Sequence, residues 1–243
     1  MKFAWPRDAK AAVSLSFDDA RPSQVDLGVP VLDKHGIKGT FYLTPSAVPQ
    51  RLEAWKTAVK AGHEMGNHTK SHFCSGNFSF ARGKALEELS LEGMEQDILA
   101  ANDETHSMLG VRPVTFAYPC GQTFVGRGLG LKSYIPVVAK HFVVGRGAFS
   151  EIYCDPSYSD LARADSLDAD EKTFPYLKSW IERAVAEGAW LIWMVHDVGT
   201  TAARQTMTVE VLDGLCAYLK DPQNGIYVDT VASVGDYIKK RRG

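Results

Sequence analysis

The sequence predicts an α/β fold, a (β/α) barrel of the TIM-barrel kind, formed as a single domain over residues 1–243. Three observations lead to it. Short, near-continuous apolar runs alternate with amphipathic helical stretches, the pattern of parallel strands covered by helices. About seven such units follow one another, which suits a barrel better than a doubly wound sheet. No GxGxxG follows the first apolar run, so a dinucleotide-binding sheet loses its main support. A chain of 243 residues allows one large domain or two small ones, and no linker, low-complexity segment or fixed-period repeat divides it.

The elements follow in order. Residues 12–17 (AVSLSF) read as a strand, and 25–35 as a helix with Ser23 as cap and Gly36 past its end. Residues 40–43 (TFYL) form a second strand, 52–61 a helix closed by Gly62, and 65–68 a short third strand. The longest helix covers 90–109 and stops at Gly110; 114–118 is a fourth strand ended by Pro119. Between 121 and 170 glycines and polar runs predict loops with short strands, the clearest at 141–144. Order returns with a helix at 174–187, a strand at 189–195 (AWLIWMV), a helix at 209–219, a strand at 226–228 and a closing helix at 230–240.

Composition narrows the function. Hydrophobic residues make up 45% and charged residues 23%, which excludes disordered, collagen-like and coiled-coil readings for the bulk of the chain. The net charge of −2 supplies no basic field for nucleic acid. The one basic cluster, Lys239-Lys240-Arg241-Arg242, reads as a helix C-terminus complementing its dipole. No apolar run is long enough to span a membrane. The first residues lack a signal-peptide core, so the expectation is an intracellular protein, or a secreted one whose export signal was trimmed. Cys74, Cys120, Cys154 and Cys216 are widely spaced without a CxxC, which argues against a disulfide scaffold or a Cys-rich zinc site while leaving an isolated pair open.

In a (β/α) barrel the functional residues sit at the C-terminal strand ends. Asp18-Asp19 follows the first strand, His68-Thr69-Lys70-Ser71-His72 the third, Tyr118-Pro119-Cys120-Gly121 the fourth, and His196-Asp197 the tryptophan-rich strand. Each group alone is weak: HxxxH is common on surface helices, paired aspartates are common in solvated loops, and His-Asp is common in turns. Together they bring carboxylates and imidazoles to one rim. His68 and His72, four apart, can share one side of a turn, and with Asp19 they form a facial set that leaves coordination positions open. Asp18 is then free for proton transfer.

These residues resemble the NodB-homology polysaccharide deacetylases, carbohydrate esterase family 4. Ser16-Phe17-Asp18-Asp19 is similar to the family's first motif, His68-Thr69-Lys70-Ser71-His72 to its second, and Met194-Val195-His196-Asp197 to its fifth; the likeness runs from Ser14 to about Val198. The resemblance implies a distorted (β/α)7–8 barrel and metal-dependent removal of N- or O-acetyl groups from a carbohydrate, through attack of metal-activated water on the acetyl carbonyl. It implies Asp18 as general base and His196 as general acid. Asp19, His68 and His72 become ligands of a divalent ion, zinc first, with cobalt, nickel, manganese or iron also suited to two imidazoles and a carboxylate. It places Tyr118, Pro119 and Met194 at the substrate, Met194 where a leucine usually lines the acetyl pocket, and makes the Cys120 backbone N–H an oxyanion donor.

The third motif departs from the family pattern. Ala117 stands where an arginine orients the base, with Arg21 and Arg146 as candidate substitutes, and Cys120 stands where a tyrosine is usual. The fourth motif, an Asp that tunes the acid histidine and a Trp, is not recognisable; Asp155, Asp160 and Asp165 are its candidates. Two other functions stay open: hydrolysis of a small cyclic amide or imide, as in allantoinase-like relatives of the fold, and carbohydrate binding without catalysis. Phe73, Phe78 and Phe80 are expected to pack under a loop rather than to form a sugar-stacking rim. Trp180, Trp190 and Trp193 read as core, and His35, His63, His106 and His141 carry no assigned chemistry.

Overall fold

The computed structural model describes residues 3–243. Eight strands form one sheet: β1 (Ala11–Asp18), β2 (Thr40–Leu43), β3 (Glu64–Asn67), β4 (Thr115–Ala117), β5 (Val144–Arg146), β6 (Leu167–Asp168), β7 (Trp190–Val195) and β8 (Ile226–Val228). Their order is β5-β4-β3-β2-β1-β7-β6, with β8 beside the start of β1, and every neighbouring pair is parallel. A parallel bridge between Arg146 and Ala164, just ahead of β6, ties the two edges. The sheet thus curls into a distorted barrel. Two short ribbons, Phe124–Val125 with Lys132–Ser133 and Asp197–Gly199 with Thr206–Thr208, lie off it.

The helices are α1 (Val29–Lys34), α2 (Leu52–Lys60), α3 (Leu91–Leu109), α4 (Ile135–His141), α5 (Phe174–Glu187), α6 (Val209–Lys220) and α7 (Val231–Arg242). Side chains alternate along β1 with a period of two. Val13, Leu15 and Phe17 join the cluster that includes Leu32, Trp55, Ile181 and Leu212 from the covering helices. Each such side chain contributes roughly 1.5–3 kcal/mol on burial. Ser14, Ser16 and Asp18 take the opposite face and point into the barrel, where Ser16 Oγ donates to Trp193 O and Ser14 Oγ accepts from Trp190 Nε1. The same alternation that builds the core therefore carries Asp18 inside.

Most predicted elements appear within one or two residues. Ser90 caps α3 by accepting from Gly93 N, and Gly110 ends it in the left-handed conformation. Four local readings need correction. The helix expected over 25–35 begins as a π-type turn at Gln24–Gly28, and α1 proper covers only Val29–Lys34. Ser23 does not cap it; its hydroxyl donates to Asp197 Oδ1. Residues 135–140, expected as loop, and His141, expected to start a strand at 141–144, form α4, whose Pro136 lies in the first turn, where a missing N–H costs nothing; the strand itself runs Val144–Arg146. The β-branched run of Ile135, Val137 and Val138 hid that helix, which forms because Val138 packs with Phe116, Tyr118 and Phe142.

Candidate metal centre and catalytic pocket

The C-terminal strand ends open onto a cavity of about 590 Å³ whose walls include Asp18, Asp19, His68, His72, Cys120, Met194 and His196. Four separate strands thus deliver to one place the residues singled out by sequence. Asp19 leaves β1 in a left-handed conformation (φ 77°), which turns its carboxylate back toward the third-strand loop. That loop has two more non-glycine residues at positive φ, Thr69 and His72. It is pinned from α3: Asp97 Oδ2 accepts from the N–H groups of Lys70 and Ser71, and Asp97 Oδ1 accepts from Ser71 Oγ. Asn67 Oδ1 accepts from Thr69 N, and Thr69 Oγ1 accepts from His72 N.

Asp19 Oδ1 lies 3.6 Å from His68 Nε2 and 3.5 Å from His72 Nε2. These separations are too long for hydrogen bonds. They match the roughly 3.4 Å between neighbouring donors on a tetrahedral ion with bonds near 2.1 Å. The donor set fits a divalent cation in protonation state as well. His68 Nδ1 donates to Ala117 O at 2.9 Å, which leaves Nε2 as the free lone pair. Burial, with His68 close by, pushes His72 down to about 4, so its ring is neutral at pH 7. Burial alone would raise Asp19, but His68 and His72 outweigh it and hold the carboxyl below its ordinary value. Arg21 occupies the other carboxylate oxygen: its Nη2 and Nε reach Asp19 Oδ2 at 3.0 and 3.2 Å, while Nη1 reaches Asp197. Oδ1 is thereby left to the imidazoles.

A second group around His72, made by the sulfurs of Cys74 and Cys120, also has ligand-like spacing. Those sulfurs are joined in a disulfide and offer no thiolate. The isolated cysteine pair left open by the sequence therefore exists, and it lies at the pocket rather than in the scaffold. Cys154 and Cys216 are free and buried.

Asp18 is buried, and Arg146 Nη2 donates to its Oδ1. Arg146 and Ala117 are register partners on β5 and β4. The guanidinium absent at Ala117 thus arrives from the adjacent strand at the same height. Arg146 is itself buried, lies over the Tyr42 ring at 5.0 Å and donates from Nη1 to Gly147 O. Tyr42 can stand there because residue 66 is glycine: a Cβ would come within 2.4 Å of the ring. Burial raises Asp18, but Arg146, then His68 and His196, overcome it and keep the carboxyl below its usual range.

Across the cavity, His196 Nδ1 lies 2.5 Å from Asp170 Oδ2, and His196 N donates to Asp170 Oδ1. Burial would lower His196; the Asp170 hydrogen bond, then Asp18, reverse this and raise it above the ordinary imidazole value. None of the three aspartates suggested by sequence takes this place. Asp155 and Asp160 cap local turns and Asp165 pairs with Ser150 and Arg163. Asp170 was missed because it ends the polar run 155–170 with no motif around it; only its position just past β6 could have found it. No tryptophan is among the cavity walls.

Tyr118 lines the cavity and donates from its hydroxyl to Ala162 O, and Met194 forms a buried part of the wall. Pro119 is buried beside the cavity and is not among its walls; it fixes the turn that carries Cys120. Cys120 has φ 54°, and among the described residues its backbone N–H has no acceptor, whereas Gly121 N and Gln122 N donate within the turn. Phe78 and Phe80, expected under a loop, are instead exposed at the cavity mouth with Phe149, and their rings stack at 5.3 Å. Phe78 precedes and Phe80 lies within a short 3-10 turn, Ser79–Ala81, of which only Ala81 is buried. Phe73 does pack, against the cluster around Leu86 and Met94.

The chain is similar to several known proteins. Residues 6–125 match the family model described as polysaccharide deacetylase. The peptidoglycan-N-acetylglucosamine deacetylase PgdA of Listeria monocytogenes is 28% identical over 110 residues, which are 45% of this chain and 21% of PgdA. The chain spans about a quarter or less of the length of the curated relatives it matches. A polysaccharide-deacetylase-like structure from Mycobacterium smegmatis superposes with a TM-score of 0.70 at 12% identity, covering 99% of this chain and 94% of that one. The Bacillus anthracis protein BA3943, a pseudoenzyme of carbohydrate esterase family 4, superposes at 0.59 with 18% identity, covering 93% and 66%.

Proposed function

Because this chain belongs to the polysaccharide deacetylase family, on the match of residues 6–125, we propose that it is a metal-dependent hydrolase, one domain over residues 1–243, that removes acetyl groups from a carbohydrate. One observation carries the reading. Asp19, His68 and His72 converge on one point of an open cavity, with Asp18 and His196 on its walls.

Asp19, His68 and His72 would hold the ion, zinc first. The chemistry a divalent cation supplies there is polarisation of the acetyl carbonyl and acidification of water from a pKa of about 15.7 toward roughly 7. Asp18 takes the proton of the attacking water. Held ionised by Arg146, Asp18 is a weak base, so proton transfer runs together with attack rather than before it. The unpaired Cys120 N–H donates to the carbonyl oxygen as negative charge gathers on it. His196, kept protonated by Asp170, gives its proton to the departing sugar nitrogen or oxygen. Tyr118 and Met194 enclose the methyl group, and the exposed Phe78, Phe80 and Phe149 offer apolar faces to neighbouring sugar rings.

Acetate release is the direct test. Metal-loaded protein is expected to free acetate from chito-oligosaccharides, peptidoglycan fragments or acetylated xylo-oligosaccharides. Turnover of cyclic ureides without any acetate release would replace this reading with the cyclic amidase, and saccharide binding without hydrolysis would replace it with the binding protein. In active protein, His196→Ala should cost about 10²–10⁴ in kcat on N-acetyl substrates. The loss should shrink for 4-nitrophenyl acetate, whose leaving group needs no proton; equal losses on both substrates would remove the acid role.

The pH profile tests the partner of His196. His196 acts as acid only while protonated, and its pKa is raised, so activity persists above the ordinary histidine range and falls as pH rises through the raised value. Asp170→Asn removes the main raising interaction. The alkaline limb should move to lower pH, with kcat/KM at alkaline pH falling roughly 10²-fold. A variant with the wild-type limb would assign that limb to another group.

A further inference from the structure

The loop that carries His72 and the turn that carries Cys120 are joined covalently. Cys74, two residues past His72, is bonded to Cys120, and Cys74 Sγ lies 3.7 Å from His72 Nδ1, across the ring from the nitrogen that faces Asp19. The two segments are neighbours with few other ties. Ser75 N donates to Gln122 Oε1 at 2.7 Å, and His68 Nδ1 donates to Ala117 O. Cys120 sits at φ 54°, a conformation that a non-glycine residue keeps only when its surroundings impose it. Among the described residues its own N–H finds no acceptor, so the residue is held by its sulfur and by the Gly121 and Gln122 bonds of the turn. Cys74 is wholly buried, whereas Cys120 is partly exposed in the cavity wall. A reductant in the cavity therefore meets Cys120 before Cys74.

We propose that Cys74 and Cys120 are positioning residues for the hydrolysis: their disulfide holds the Cys120 N–H at the acetyl oxygen, so the pocket is complete only in the oxidised protein. The proposal rests on the deacetylase reading for what that N–H does. Opening the bond with a water-soluble phosphine is balanced as follows. Phosphorus attacks the Cys120 sulfur, the S–S bond breaks, and the Cys74 thiolate leaves and takes a proton. Water then converts the thiophosphonium to phosphine oxide and frees the Cys120 thiol. The disulfide gains two electrons and the phosphine loses two.

The test compares oxidised protein, phosphine-treated protein and the double variant Cys74→Ala/Cys120→Ala, on an acetylated chito-oligosaccharide well below the melting temperature. Expected on reduction is a fall in kcat of roughly 10–100-fold with KM little changed. Metal content should stay constant and activity should return on reoxidation. The double variant should be equally slow and indifferent to phosphine. Equal kcat in oxidised and reduced protein, with only a lower melting temperature, would make the bond purely structural and overturn the proposal. Loss of metal in parallel with activity would also overturn it, by moving the effect to the His72 loop. Amide hydrogen exchange over 69–76 and 118–122 decides without any turnover: faster exchange in both segments on reduction is expected, and unchanged exchange refutes the clamp. If oxidised protein releases no acetate from any substrate, the deacetylase reading fails by itself and the exchange result still judges the clamp.

Discussion

Asp19→Ala should abolish metal retention and hydrolysis together, with kcat/KM down by roughly 10⁴-fold or more, since the water to be activated reverts from a pKa near 7 toward 15.7. The geometry makes this residue decisive. Its Oδ1 is the one carboxylate oxygen facing both imidazoles, at 3.6 and 3.5 Å, and its Oδ2 is already taken by Arg21. Asp18 cannot replace it. Asp18 Oδ2 is 3.9 Å from His68 Nε2, and Asp18 Oδ1 is bound to Arg146. Folding should survive, because Arg21 keeps Asp197 and Gln205 as partners. Metal analysis of the purified variant, an acetate-release assay and a thermal melt together check this. A variant that keeps wild-type metal content would remove Asp19 from the ligand set, and one that loses metal yet keeps its rate would remove the metal from the reaction.

The barrel was legible in the sequence because its determinants are local. Apolar runs of the right length, Ser90 with Gly110, and the helix pattern of 174–187 each report on their own segment. The clustering of Asp19, His68 and His72 was legible for a related reason: all three lie at or just past strand ends, and a parallel barrel delivers all strand ends to one rim. What stayed hidden depends on lateral neighbours. Arg146 was one of two arginines the sequence offered as partner of Asp18, 128 residues away; nothing near it decides between the two, and the choice needs the register of β5 on β4. Asp170 becomes the partner of His196 only because β6 lies beside β7. Cys74 and Cys120 meet because β3 and β4 are adjacent, a fact that spacing does not encode. The phenylalanines at the mouth misled for the converse reason: their burial tendency is an average, and Phe78 and Phe80 stack on each other while staying exposed.

Arg146→Met should be the most damaging substitution for stability within the site, costing about 3–5 kcal/mol by the usual penalty for breaking a buried ion pair. Arg146 is fully buried, and Asp18 is nearly so, open only where it lines the cavity. The pH dependence identifies the cause. With Arg146 present, the Asp18 pKa lies below its unfolded value, so the pair stabilises the fold above that unfolded value and the contribution fades as pH falls through the folded one. Without Arg146 the burial term is less opposed, and neutral pH forces an uncompensated charge into the barrel. The stability gap between wild type and variant, read by urea denaturation of metal-free protein, should therefore be widest near pH 7 and narrow toward pH 3. A gap independent of pH would mean that the loss is one of packing against Tyr42 rather than of charge. Adding Asp18→Asn should return much of the stability, because the orphaned carboxylate is gone. It should return no activity: Asp18→Asn alone is expected to keep metal and to lose about 10²–10⁴ in kcat. Stability that recovers while catalysis does not is the signature of a base whose charge, and not merely whose shape, the arginine of the neighbouring strand exists to hold.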